Sequence, residues 1–181
     1  MRLTIFLGAA LLVCTQAAAA QTPAGPYAGE EQRPIKALAP AEVEQLRAGH
    51  GMGLAKAAEL NHYPGPRHVL ELAAELQLTP AQRAAAGRSY ARMHARAVEL
   101  GARVLAKEQE LDRRFAHAHI DDATLVALTA EIARLQGALR ATHLRAHLEM
   151  KRLLSPAQVK RYDALRGYKQ ATPPVHDHGS R

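Results

Sequence analysis

Two near-copies of one pentapeptide, Leu78-Thr79-Pro80-Ala81-Gln82 and Leu154-Ser155-Pro156-Ala157-Gln158, bracket the middle of the chain. Each reads as a helix start. Thr79 and Ser155 supply N-cap hydroxyls, Pro80 and Pro156 fall at the first helical position where no N–H is needed, and Gln82 and Gln158 stand three residues past the cap, in reach of its backbone N–H. Whatever lies between them must run out from one helix start and return to the other.

The intervening sequence does this with two helical patterns. From Pro80 to about His119, Tyr90, Met93, Ala97, Leu100, Val104, Leu111 and Phe115 recur in steps of three and four, interrupted at Lys107, as a heptad-like seam. Asp121 and Asp122 mark a turn and cap the next helix, where Leu125, Leu128, Ile132, Leu135, Leu139, Ala146, Met150 and Leu153 repeat that spacing. So short a connection folds the two back as an antiparallel pair. Before them, Pro40 to Leu46 reads as a short helix with Glu42 at the capping-box position but Ala39 at the cap. Leu54 to Leu60 gives another short turn of helix, and Arg67 to Gln77 an amphipathic one. After Pro156, Val159, Tyr162 and Leu165 line one side of a final helix. Two long helices cannot cover both of their apolar faces, so the short helices or a second subunit must do so.

On these boxes the sequence resembles the periplasmic Spy/CpxP-like family, whose signature is a repeated Leu-Thr-x-x-Gln. The motif residues here are Leu78, Thr79 and Gln82, then Leu154, Ser155 and Gln158; Ser155 replaces Thr and keeps the capping hydroxyl. The resemblance runs over residues 68 to 169. It implies an all-α fold, a long antiparallel helical hairpin with short flanking helices, assembled as a cradle-like homodimer. The group includes refolding chaperones and periplasmic heavy-metal sensors on one scaffold, so a shared fold does not choose between them.

The ends read differently from the middle. Arg2, the apolar stretch Thr4 to Val13 and Ala18-Ala19-Ala20 form a secretory signal over 1–20, with cleavage expected after Ala20. That apolar stretch is short for a bilayer span, and no later stretch is apolar enough for one. Cys14, the one cysteine of the chain, lies inside the signal. Lipidation there is the alternative to cleavage, but Val13 precedes it where a small residue is expected. Residues 21–36, rich in Pro and Gly, read as a disordered leader, 37–169 as the helical domain and 170–181 as a disordered tail. The expected location is the periplasm.

A formal charge of +7 raises nucleic acid as a partner, but export redirects it to acidic protein segments or anionic envelope surfaces. With seven aromatic residues and no Trp, stacking platforms for bases have no support. No phosphate loop, nucleophile elbow or His-Glu-x-x-His pattern is present, so the chain reads as a non-enzyme.

Two sets of side chains remain as binding candidates. If the hairpin turns near Asp121, residues whose numbers add to about 242 face each other, which sets Met93 against Met150 and His94 against His147. His143 and His147, at i and i+4, share a face with Met150. His94, His143, His147, Met93 and Met150 thus offer imidazole and thioether to a Zn, Ni, Co or Cu ion; the competing reading has the methionines fill the seam while the histidines flank it. A His-x3-His step resembles what the metal-sensing relatives use. His50 with Met52, and His62 with His68, either add ligands or serve as loop and cap residues. His117 and His119 at the hairpin tip, and His176 and His178 in the tail, read as surface residues. The second set is basic: Arg88, Arg92, Arg96, Arg103, Arg140 and Arg145 form either a solvated polar face or a surface for acidic client segments.

The first expectation is therefore an ATP-independent periplasmic chaperone or envelope-stress adaptor with no required cofactor. Its partners would be unfolded envelope proteins or a membrane signalling protein. The alternative is a heavy-metal-binding sensor or resistance protein on the same hairpin.

Overall fold

The computed structural model describes residues 24–168. The expected signal segment and the tail from 170 onward lie outside the described residues. The chain divides into two units, one ending at Glu31 and one beginning at Gln32. In the first, described from residue 24, two turns are closed by Ala28 N–H to Gly25 O and Glu30 N–H to Tyr27 O, each 3.0 Å.

The second unit carries six helices: α1 Pro40–Arg47, α2 Lys56–Glu59, α3 Pro66–Glu71, α4 Pro80–Ala116, α5 Asp122–Leu153 and α6 Pro156–Arg166. No strand occurs among the described residues, and α4 and α5 form the long hairpin that the two seams require. Packing starts earlier than residue 37. Ile35 is buried among Leu46, Leu100 and Leu139, and Lys36 Nζ sits 3.1 Å from Asp112 Oδ2.

Both boxes form as read. Thr79 Oγ1 accepts from Gln82 N at 3.1 Å and Ser155 Oγ from Gln158 N at 3.2 Å, while the two amide oxygens accept from the cap N–H groups at 3.1 and 2.9 Å. The structure adds a connection between the copies. Gln82 Nε2 donates to Gln158 Oε1 at 2.9 Å and Gln158 Nε2 returns to Gln82 Oε1 at 3.1 Å. Each amide then spends its second N–H on a carbonyl beside the other box, Gln82 on Leu153 O at 3.0 Å and Gln158 on Leu76 O at 3.1 Å. Two half-buried glutamines thus use both ends of their amides and tie the starts of α4 and α6 together.

Two apolar clusters flank the middle of the hairpin. Around the clasp lie Val69, Leu76, Ala86, Met150, Leu154, Val159 and Tyr162. Farther along, Leu46, Ala97, Leu100, Val104, Leu105, Leu135 and Leu139 pack together. There α1 presses its C-terminal backbone onto α4, so that a Cβ at Gly101 would stand 2.1 Å from Leu46 O; glycine is needed for that approach.

The hairpin register is a few residues short of the expected sum. Ser89 Oγ donates to Glu149 Oε2 at 2.6 Å, Arg92 reaches the same oxygen at 2.9 Å, and Arg103 approaches Glu131 at 3.7 Å. Phe115, expected in the seam, is instead 58% exposed, because near the tip the shortened register carries it beyond the apolar positions of α5. Helix α3 is also shorter than the periodic stretch 67–77. Its chain continues in tight turns and ends with Gln77 left-handed (φ 51°) and Leu78 N–H bonded back to Ala73 O at 3.0 Å, a Schellman-type stop that releases the chain into the first box.

Removing the Gln158 amide leaves one Gln82 Nε2–H, the Ser155 N–H and Leu76 O without the partners they had. Gln158→Ala should therefore cost about 2–3 kcal/mol, from several modest hydrogen bonds lost together. That corresponds to a fall in Tm of about 5–10 °C for a domain of this size. A Gln82→Ala, Gln158→Ala double-mutant cycle in urea should show a coupling of about 1 kcal/mol or more; additive losses would mean that the two boxes act separately.

Candidate functional site

Between the two clusters the seam changes character. On α5 the apolar positions Leu135 and Leu139 give way to His143 and His147 before the seam resumes at Met150. On α4, Tyr90, Met93 and His94 occupy the stretch between Ala86 and Ala97. The segment 49–68 folds over this break, and a cavity of about 420 Å³ remains. Its walls carry five histidines, His50, His68, His94, His143 and His147, with Met52, Met93 and Glu59.

The histidines are held in distinct ways. His94 Nε2–H donates to Ala48 O at 3.0 Å and His147 Nδ1–H to Tyr63 O at 2.7 Å. A carbonyl can only accept, so the bonded nitrogen carries the proton, and in the neutral ring the other nitrogen, His94 Nδ1 or His147 Nε2, is the base. His143 is 5% exposed and its Nε2 has no hydrogen-bond partner. Burial lowers its pKa, assisted by the neighbouring His147 and His94, which keeps this imidazole neutral at neutral pH.

Glu59 organises the other wall. Its carboxylate accepts from Tyr162 Oη and, at 3.1 Å, from Tyr168 Oη; His68 Nδ1, His147 Nδ1 and Arg166 Nε each lie 3.6 Å away. Burial alone would raise its pKa, but the nearby His68, the Tyr162 hydroxyl, the nearby His147 and the Tyr168 hydroxyl overcome that and bring it to about 2. The same contact, after burial, pushes the Tyr162 hydroxyl upward. One carboxylate thereby ties α2 to α3, α5 and α6.

His94, His143, His147 and Met93 thus come together in one cavity. Met150 does not join them: it is fully buried in the cluster around the clasp. His50 and Met52 do join, from the α1–α2 loop, and His68 from α3. Among the described residues no group of three His, Cys, Asp or Glu side chains is placed to hold a metal ion. His62 lies apart, its Nδ1 2.9 Å from the buried Asp163. His117 and His119 flank a separate surface hollow with Arg113 and Arg114, and His176 and His178 lie outside the described residues.

The arginines are exposed, with unequal surroundings. At about 100° per residue, positions 88, 92, 96 and 103 fall in a stripe about 80° wide along α4. Arg92 faces Glu149, Arg96 pairs with Glu99, and Arg103 approaches Glu131. Arg145 sits one turn before Glu149 on α5 and borders the stripe, whereas Arg140 lies about 180° around that helix from Glu131. No acidic partner is found for Arg88, Arg140 or Arg145 among the described residues.

Fold and cavity together describe a small all-helical domain, built on a clasped hairpin with a polar break in its seam. A match to the LTXXQ motif family protein profile covers residues 66–166, and the chain belongs to this Spy/CpxP-like family. Neither the curated proteins nor the solved structures compared with it contain a significant match. No described helix is long and apolar enough to cross a membrane.

Glu59 was absent from the sequence reading because its partners are remote; Tyr162 is more than a hundred residues away. Since its folded pKa lies below the ordinary 4.5, its ionised form stabilises the fold fully above about pH 4.5, and that contribution is lost as pH falls through about 2. Glu59→Gln should lower stability at neutral pH and flatten the acid-side loss between those values, as read by urea unfolding across pH. An unchanged slope would show that Glu59 does not set it.

Proposed function

We propose that this chain works in the periplasm as an ATP-independent binder of unfolded or partly folded protein segments, a chaperone or stress adaptor of the Spy/CpxP type. The observation that carries the reading is the exposed arginine stripe on α4, extended by Arg145. Guanidinium groups on a rigid hairpin attract acidic segments at long range, and the flexible ends of the clients supply the adaptation. Some of that charge is balanced by Glu99, Glu131 and Glu149, which suits weak, releasable binding. Pairing into a homodimer belongs to the same proposal and would widen the surface.

Suppression of aggregation of an acidic client should fall about fivefold or more in Arg88→Glu, Arg96→Glu, Arg145→Glu, and wild-type suppression should weaken above about 150 mM salt, where the screening length drops to about 8 Å. Equal suppression by the triple variant would remove this reading.

A second reading is favoured by the histidine cavity: the chain binds a transition-metal ion there. Carbonyl-anchored imidazoles, such as His94 on Ala48 O and His147 on Tyr63 O, are the arrangement by which proteins fix a ligating ring's tautomer. Saturable binding of Zn(II), Ni(II), Co(II) or copper, weakened at least tenfold in His94→Ala, His143→Ala, would support it, and full retention would exclude the cavity.

A further inference from the structure

The methionines of the cavity go beyond what borderline ions need. Of the three methionines after Met1, Met150 is core, and the other two, Met52 and Met93, line the same cavity as the histidines. Met93 reaches it from α4, next to His94. Met52 comes from the loop between α1 and α2, in the sequence His50-Gly51-Met52-Gly53.

That loop is built in an unusual way. Met52 holds a left-handed backbone (φ 46°) between two glycines, and Gly53 is left-handed as well. An unbranched apolar side chain would ordinarily avoid that conformation and bury itself elsewhere. Here it is 37% exposed at the cavity. The loop also lies against the least satisfied imidazole: a Cβ at Gly51 would stand 4.0 Å from His143 Nδ1, and His143 Nε2 is buried without a partner. A loop in left-handed backbone that carries a thioether into a cavity walled by imidazoles is a feature to explain by binding.

Resting on the metal-binding reading, we infer that the ion of this cavity is a soft, monovalent one, Cu(I), held by the thioethers of Met52 and Met93 together with His143 and His94. Thioether sulfur and neutral imidazole favour Cu(I) over harder divalent ions. Methionine's three rotatable bonds let both sulfurs converge on an ion without moving the helices. His94 is already turned so that Nδ1 is its free base, and His143 presents Nδ1 on the side of the Gly51–Met52 loop. Closure of Met52 onto the ion would bring the loop over the cavity, so the ion's arrival would be felt at the α1–α2 connection.

The test is an anaerobic titration of the purified full chain with Cu(I) against a chromophoric Cu(I) chelator, beside a Zn(II) titration. Met52→Leu and Met93→Leu preserve volume and should leave the helical circular-dichroism spectrum unchanged. The expected result is one Cu(I) per chain, an affinity lowered at least tenfold by each variant, Zn(II) affinity changed less than twofold, and copper–sulfur scattering in the X-ray absorption spectrum of wild type. Cu(I) binding indifferent to both Met variants would overturn the inference. So would tight Zn(II) binding that is lost in His143→Ala while Cu(I) binds weakly, an outcome that keeps the metal-binding reading. Failure of both ions to bind would end both.

Discussion

The paired amides of Gln82 and Gln158 are the constraint on which the rest of the domain depends. A capping box satisfies the free N–H groups of one helix end. Here the residue that closes each box also bonds the other box and the carbonyl next to it. The result fixes where α4 begins relative to where α5 ends and α6 begins, which is the open end of a hairpin that would otherwise splay. With that end tied, Leu154, Val159 and Tyr162 are brought onto Val69 and Leu76, and the chain before α4 gains a floor on which to pack.

A hairpin closed at its base and packed by α1 farther along can tolerate a polar interruption between. The seam is apolar at Ala86 and Met150 and again at Ala97 through Leu105 and at Leu135 and Leu139; the break holds His94, His143 and His147. Buried polar groups cost stability unless they are bonded. Ala48 and Tyr63 carbonyls and the Glu59 carboxylate bond or approach two of the three rings, and the third, His143, is left with a nitrogen unmet. The segment 48–68 is therefore both the lid of the cavity and the source of the groups that make the break tolerable.

Much of the fold was legible because its determinants are local. The two boxes, the Asp121 cap and the three-and-four spacing of Leu100, Val104, Leu135 and Leu139 each announce their own helix, and a short connection leaves one way to pair them. What was not legible depends on contacts across the chain. The register was estimated from the turn alone, so Phe115 was placed in a seam it does not reach and Met150 beside histidines that it lies below. The Gln82–Gln158 clasp and the Glu59 network join residues some 76 and 103 positions apart, with no periodicity to betray them. The His143–His147 step was visible as a shared face, but Met52 could be read either as a ligand or as part of a glycine-rich loop.

These features divide the labour within the domain. Stability resides at the clasp, in the two apolar clusters and in the Glu59 network, and the first two of these use neither a cavity histidine nor Met52. The residues that could recognise a ligand sit in the break and on a loop held in strained backbone, where a change of side chain alters chemistry with little effect on the core. The arginine stripe on α4 is likewise exposed and outside both clusters. A clasped hairpin of this kind can keep its fold while its cavity and its charged face vary independently.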